Sequence, residues 1–122
     1  MRTADDPRHK RRQELVQALF KVDFHKQPII AEAQKIMGHV GMIDEAIRGA
    51  AKEYPIEKIN KIDLAILRLA VYEMIIAKKE PTNVIIDEAI ELAKEFAGPT
   101  SPSFINGALG NIITHENISK IS

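Results

Sequence analysis

Apolar residues recur along most of this chain at the three- and four-residue spacing of amphipathic helices. In the first segment, Leu15, Val16, Leu19 and Val22 fall on one stripe. No segment alternates apolar and polar residues in the way a half-buried strand does. The pattern predicts an all-α protein, a compact bundle of about six or seven helices that forms one domain over residues 1–122.

Prolines and helix caps set the predicted helix boundaries. The first helix is predicted from Pro7, with Asp6 as its N-cap, to about Phe24. Thr82 is predicted to cap the fifth helix, and Ser101 or Ser103 the last one. The remaining helices are predicted after Pro28 to about Gly41, from Ile43 to about Tyr54, and from Lys58 to Lys78. Residues 1–6 and 116–122 are predicted to be flexible ends.

The predicted helix from Lys58 to Lys78 is apolar on every side around its middle, so we expect it at the centre of the bundle. Its charged residues Arg68 and Glu73 are five positions apart, and we expect each to pair with a different helix. Gly107, inside the last helical pattern, is predicted to allow close helix packing. The longest mostly apolar stretch is too short and too charged to span a bilayer, which predicts a cytoplasmic protein without a membrane partner.

The composition excludes several kinds of chemistry. The chain has no cysteine, so disulfide scaffolds and thiolate metal sites are ruled out. None of the four histidines has a partner at the spacing of a helical zinc site, and surface positions are expected for them. The carboxylates Glu91 and Glu95 share a helix face, which we interpret as solvated. We therefore predict a protein without a cofactor, a metal site or enzymatic activity.

The net charge of zero comes from 17 basic and 17 acidic side chains that are unevenly distributed. Residues 8–12 form a dense basic run, whereas residues 80–95 carry five carboxylates and only Lys94 as a cation. We interpret this as a basic surface at one end of the chain, offset elsewhere by an acidic helix. The cancelling charges therefore do not argue against a nucleic-acid partner.

The basic run is in phase with the apolar stripe of its helix. Arg8 and Arg12 lie on the same face as Leu15 and Leu19. Because an unpaired guanidinium is costly to bury, either the first turns project beyond the bundle or these arginines face an acidic partner. Backbone N–H groups and cations at a helix start also favour phosphate. A third interpretation is that the basic run is only a solvated turn.

Two stretches resemble the transcription antitermination factor family NusB. One is the segment from Ile62 to Glu73, and the other runs from Val84 to Phe96 and continues in Phe104-Ile105-Asn106-Gly107-Ala108-Leu109. The resemblance returns in the first helix, where the basic run leads to Gln13 and then to Val16-Gln17-Ala18-Leu19-Phe20. It implies an all-helical fold with two helical subdomains.

The resemblance also implies partners and site residues. Members of this family bind a boxA-type RNA and the small-ribosomal-subunit protein NusE, and they join an antitermination complex on RNA polymerase that supports ribosomal RNA synthesis. By position, Asp63 would face NusE. The positions that would contact RNA are Arg8, Lys10, Arg11, Arg12, Phe20 and Thr100. Asp87, Glu88 and Glu91 match a strong family motif whose role is mainly structural.

Two alternatives remain open from the sequence. The chain is also similar to an RNA-binding module found at the N-terminus of ribosomal RNA cytosine methyltransferases. It could instead be a helical adaptor or homodimer without RNA binding, in which the basic run is only solvated.

Overall fold

Helices make up all of the regular structure in the part of the chain that the computed structural model describes, residues 6–22, 30–50 and 55–118. Six α-helices are present there: α1 (Pro7–Val22), α2 (Ala31–Met37), α3 (Val40–Ala50), α4 (Lys61–Val71), α5 (Thr82–Phe96) and α6 (Ser101–His115). A 3₁₀ turn (Ile56–Lys58) precedes α4, and a π-helical turn (Tyr72–Ala77) follows it. The predicted all-α fold is confirmed. The predicted helix ends at Phe24 and Tyr54 lie outside the described residues, as do residues 1–5 and 119–122.

Helix α4 lies at the centre of the bundle, as its apolar sequence predicts. Every residue from Leu64 to Val71 is buried, and the helix packs against α1, α3, α5 and α6. Helices α5 and α6 pack against each other, and α1 also contacts α2. Among the described residues, no helix is both long enough and apolar enough to cross a membrane.

The start of each helix shows which predicted caps were right. Asp6 caps α1, because its Oδ1 accepts the backbone N–H of Arg8 at 2.9 Å. Helix α4 begins at Lys61 rather than Lys58, since Asn60 Oδ1 accepts two backbone N–H groups at 3.0 and 3.1 Å. The predicted caps Thr82 and Ser101 are wrong: both are the first residues of their helices, both are buried, and neither helix has a side-chain cap.

Helix α6 ends in a Schellman motif rather than fraying at once. The backbone N–H of Ile118 donates to the Ile113 carbonyl at 2.9 Å, and that of Asn117 donates to the Thr114 carbonyl at 3.3 Å. Asn117 takes the left-handed conformation that this motif requires, with φ of 56°. Residues 116–118, part of the predicted flexible end, thus continue α6 into a defined cap.

The prediction that Gly107 allows close helix packing is wrong. A Cβ atom on Gly107 would meet no neighbour within 4 Å, and the residue is exposed. The close approach lies at Gly49 instead, where a Cβ would come within 2.7 Å of Nε2 of His115 on α6. Sequence spacing identified a helical glycine but not the face of the helix that it occupies.

Replacing Gly107 by alanine should therefore stabilise the protein by about 0.5–1 kcal/mol. Alanine has the higher helix propensity, and here the added methyl group meets open space. Thermal unfolding followed by circular dichroism would measure the change. Gly49→Ala is the matched control and should stabilise less, because its methyl group requires the His115 ring to shift; an equal gain in both variants would contradict this explanation.

The predicted pairing of Arg68 with another helix is confirmed. Its guanidinium donates to both oxygens of Asp44 on α3, from Nε at 3.0 Å and from Nη2 at 2.9 Å. Both side chains are buried. This bidentate ion pair fixes α3 against the central helix.

Candidate nucleic-acid interface

Helix α1 carries the basic run, and its inner face turns two of these residues into the protein. Arg12 is 5% exposed and His9 only 3% exposed, on the same side as Leu15, Val16 and Leu19. Of the two arrangements that the sequence left open for the arginine stripe, the structure shows that Arg12 faces an acidic partner. That partner belongs to the same chain.

The guanidinium of Arg12 contacts three carboxylates. It donates to Glu73 from Nε at 2.9 Å and from Nη2 at 2.7 Å, and to Glu88 from Nη1 at 3.2 Å. Glu80 accepts a further hydrogen bond from Nη2. Burial alone would lower the pKa of Arg12, but Glu73 and Glu80 outweigh it, and the pKa is raised. Arg12 thereby ties α1 to the π-helical turn and to α5, and its contact with RNA stays a prediction.

His9 is not at the surface, and that expectation from the sequence is wrong. Its Nδ1 lies 3.1 Å from Oε1 of Glu88, and its Nε2 lies 2.9 Å from Oε2 of Glu95. Glu95 therefore contacts this network from an exposed position, so the solvated face that we expected also holds a buried histidine. The helical spacing in the sequence could have indicated this network. His9 and Arg12 share a face of α1, and Glu88 and Glu95, two turns apart, share a face of α5. The sequence did not show that these two faces meet.

The basic run and the acidic helix are not two separate surfaces. They meet along α1 and α5, where Glu88 contacts both His9 and Arg12. Our interpretation of the cancelling charges as two unlike surfaces is therefore wrong for the buried part of the run. Several of the opposite charges are paired inside one network because two distant segments fold together.

We expect His9 to make stability depend on pH. Burial alone would lower the pKa of His9, but its hydrogen bonds with Glu95 and Glu88 outweigh burial, and the pKa is raised. A raised pKa means that the protonated ring stabilises the fold. This contribution is complete below the unfolded-state pKa of about 6.5 and is lost as pH rises through the folded-state value. The free energy of unfolding, measured by urea denaturation, should fall over that interval.

His9→Gln is the control for this dependence, because glutamine keeps a hydrogen-bonding group but does not titrate. The fall in stability above pH 6.5 should become shallower in the variant. Asp63 also has a raised pKa, but it is present in both proteins, so their difference isolates the histidine. Parallel pH profiles for the two proteins would show that His9 is not the group responsible.

The other cations of the run lie at the surface, and Arg8 does so in the first turn of α1 although it shares the stripe of Arg12. The Arg8 side chain is 71% exposed and lies 3.3 Å from Glu80, and that of Arg11 is 43% exposed and lies 2.8 Å from Glu32. Lys10 is also exposed. Half-buried Phe20 lies about 12 Å farther along α1 than Arg12, from the rise of 1.5 Å per residue. Of the basic run, Arg8, Lys10 and Arg11 therefore reach the surface, whereas Arg12 does not.

The two remaining predicted site residues lie at helix starts. Thr100 is exposed and directly precedes α6. Asp63 is buried in the first turn of α4, and its Oδ1 has no hydrogen-bond partner among the described residues. Burial raises the pKa of Asp63, and a hydrogen bond from Ser101 opposes that effect. Asp63 thus retains an unused acceptor beside α6, and its role toward NusE stays a prediction.

No cluster of three or more potential metal ligands with suitable geometry occurs among the residues that the structure describes. The carboxylates gathered around Arg12 are held by cations of the chain itself. What the site offers chemically is a cluster of surface cations at the start of a helix that Arg12 and His9 anchor to the bundle.

Comparison with known proteins identifies the relatives of this chain. The family model described as "NusB family" matches residues 32–114, which is more than half of the chain. The chain belongs to the NusB family. The resemblance found in the sequence is confirmed, although the matched range begins after the basic run of α1.

Curated NusB proteins show how far the similarity extends. A "Transcription antitermination protein NusB" of Clostridium botulinum (strain Kyoto / Type A2) is 51% identical over 71 residues, which cover 58% of this chain but only 50% of that protein. This chain thus spans about half the length of the Clostridium relatives it matches. The protein of the same name from Geobacillus kaustophilus is 34% identical over 122 residues, covering 86% of this chain and 94% of that protein.

A solved NusB structure has the same fold. NusB of T. maritima superposes with a TM-score of 0.77 at 29% sequence identity, covering 93% of both chains. The superposed share of the chain thus exceeds the range that the family model matches.

Proposed function

We propose that this protein is a transcription antitermination factor without enzymatic activity, which binds boxA-type RNA together with NusE. In this proposal it joins an antitermination complex on RNA polymerase and supports transcription of ribosomal RNA. Membership of the NusB family supports the first part, because the matched relatives are named transcription antitermination proteins.

The proposal of RNA binding rests on one observation: the basic residues of α1 have two different roles. Arg12 and His9 hold the helix to the bundle, while Arg8, Lys10 and Arg11 remain at the protein surface. Cations on a fixed helix can neutralise several phosphates and release counterions. The half-buried ring of Phe20, farther along the helix, would add stacking on an unpaired base.

Titration of a boxA-like RNA, with and without NusE, tests this proposal. The triple variant Arg8→Ala, Lys10→Ala and Arg11→Ala should weaken binding and lower the slope of log K against log salt by about 2, at about 0.7 per phosphate contact with single strands. A second triple variant, Arg48→Ala, Lys58→Ala and Lys94→Ala, removes the same charge from exposed positions outside α1. Equal effects of the two variants, or no binding by the unaltered protein with NusE present, would contradict the proposal.

Asp63 supports the partner half of the proposal. Its buried Oδ1 could accept a hydrogen bond that the described chain does not supply. Asp63→Asn should weaken NusE binding in calorimetry without lowering stability, because the amide relieves a buried charge. The matched control is Asp87→Asn at an exposed position. Unchanged NusE affinity in Asp63→Asn would remove this residue from the interface.

A homodimer is the competing use of these surfaces. Light scattering of the protein alone, followed by the RNA titration, distinguishes the two possibilities. A stable dimer that does not bind RNA would favour the adaptor alternative.

A further inference from the structure

A groove of about 520 Å³ runs beside the basic run, between α1, α2 and the π-helical turn. We call it the α1–α2 groove. Its walls are about equally polar and apolar, and its apolar lining includes half-buried Ile76 and Ala77, beside Tyr72. The volume lies within the range of pockets that hold small ligands. The lining combines surface suited to a flat ring with charged groups at the edge.

The π-helical turn shapes this groove. The N–H of Lys78 donates to the Glu73 carbonyl, five residues earlier, at 2.9 Å, which widens the helix at its end. Lys78 then adopts the left-handed conformation, with φ of 53°. The helix stops there and the chain turns back, so that Lys79 and Glu80 both line the groove. The turn thereby places an apolar wall next to a cation.

Two cations of the groove are not part of the basic run. Lys35 comes from α2 and Lys79 from the segment after the π-helical turn, and both are exposed. Within residues 6–22, 30–50 and 55–118, neither forms an ion pair, whereas Arg8 and Arg11 each have a carboxylate partner. Lys35 and Lys79 can therefore bind a phosphate without first breaking an ion pair to any residue that the structure describes.

Charge also limits what can enter the groove. Its lining includes Glu32, Glu73 and Glu80. Each is paired with Arg11 or Arg12, so those arginines are already engaged and do not favour a phosphate that moves inward. A suitable ligand would place a neutral, flat group inside the groove and keep its negative charge at the rim of the groove. A nucleotide of single-stranded RNA has this distribution, and unpaired bases are commonly splayed out and read in this way.

We propose that the α1–α2 groove seats one unstacked base of single-stranded RNA, with flanking phosphates held by Lys35 and Lys79. The RNA would then continue onto Arg8 and Arg11, which also line the groove. This inference rests on the proposed RNA-binding function and adds a base-binding position and two cations outside the basic run.

The test uses the same boxA-like RNA. The double variant Lys35→Ala and Lys79→Ala should lower the salt slope by about 1.4, from about 0.7 per phosphate. Lys58→Ala with Lys94→Ala is the matched control, because both residues are exposed and outside the groove. If the unaltered protein binds RNA but the two double variants behave alike, the groove is not the site and the proposed function stands. If the unaltered protein binds no RNA, the proposed function fails first.

A second measurement tests the seated base. RNAs carrying one abasic nucleotide at successive positions should show one position at which binding weakens roughly tenfold, the scale of a lost stacking contact. Ala77→Glu places a carboxylate in the groove. In this variant the abasic nucleotide at the sensitive position should no longer weaken binding, and circular dichroism should show a folded protein. A lowered salt slope with no sensitive position, or a sensitive position that persists in Ala77→Glu, would overturn the seating of a base.

Discussion

Replacing Arg12 by alanine should destabilise this protein by about 3 kcal/mol, with a fall in melting temperature on the order of 10 °C. The substitution leaves Glu73, Glu80 and Glu88 gathered without the guanidinium that contacts all three. Removing one partner from a buried ion pair costs more than the pair contributed, because the other charge stays desolvated. Urea and thermal denaturation would measure the loss.

Arg11→Ala is the matched control for this prediction, because it removes the same side chain one position earlier. Arg11 is much more exposed and pairs with Glu14 and Glu32 at the surface. Its loss should change the melting temperature little, as is usual for surface ion pairs. If Arg12→Ala and Arg11→Ala were equally stable, Arg12 would not be holding α1 in place.

The same comparison matters for RNA binding. A loss of affinity in Arg12→Ala would combine a misplaced helix with any lost contact, whereas Arg11→Ala reports on the surface alone. The titration variants proposed above therefore change Arg8, Lys10 and Arg11 and leave Arg12 intact.

Arg68→Ala should have a comparable effect, again about 3 kcal/mol. It leaves the Asp44 carboxylate buried without the bidentate guanidinium that now holds it at 2.9 and 3.0 Å. Because this pair joins α3 to the central helix, packing of α3 should loosen as well. Denaturant unfolding would detect the change as a lower midpoint.

Two variants decide whether the ion pair explains that loss. In Arg68→Met combined with Asp44→Leu, both charges are replaced by apolar groups, and much of the stability should return. Arg48→Ala removes an exposed arginine of α3 that pairs with Glu45, and it should leave the midpoint nearly unchanged. A double variant as unstable as Arg68→Ala would point to lost packing rather than an unpaired charge.

The sequence predicted correctly those features that depend on a single helix. The apolar middle of α4 predicted its central position, and the combination of Asp6 and Pro7 predicted the start of α1. Predictions from the sequence were wrong where two positions for a residue were equally compatible with its own helix. Thr82 and Ser101 are good capping residues by type, but tertiary packing buries both. Gly107 has the right residue type for close packing but faces open space.

The candidate site was predictable only in part, for the same reason. The phase of Arg12 on the stripe of Leu15 and Leu19 left two arrangements open, a helix start that projects beyond the bundle or an acidic partner. Which carboxylates supply that partner depends on how α5 and the π-helical turn pack against α1, more than 60 residues away in sequence. The prediction of a surface position for His9 was wrong because its partners Glu88 and Glu95 are likewise distant in sequence.

The sequence by itself determined the all-helical class, the central helix, the NusB resemblance and the position of Arg12 on the apolar stripe of its helix. These follow from helical periodicity and residue type, which are local properties. Only the tertiary structure decided which cations stay on the surface, that opposite charges meet in one buried network, and that a groove forms beside Lys35 and Lys79. Such features depend on the relative positions of helices, because charge pairing and burial are set by neighbours in space and not by neighbours in sequence.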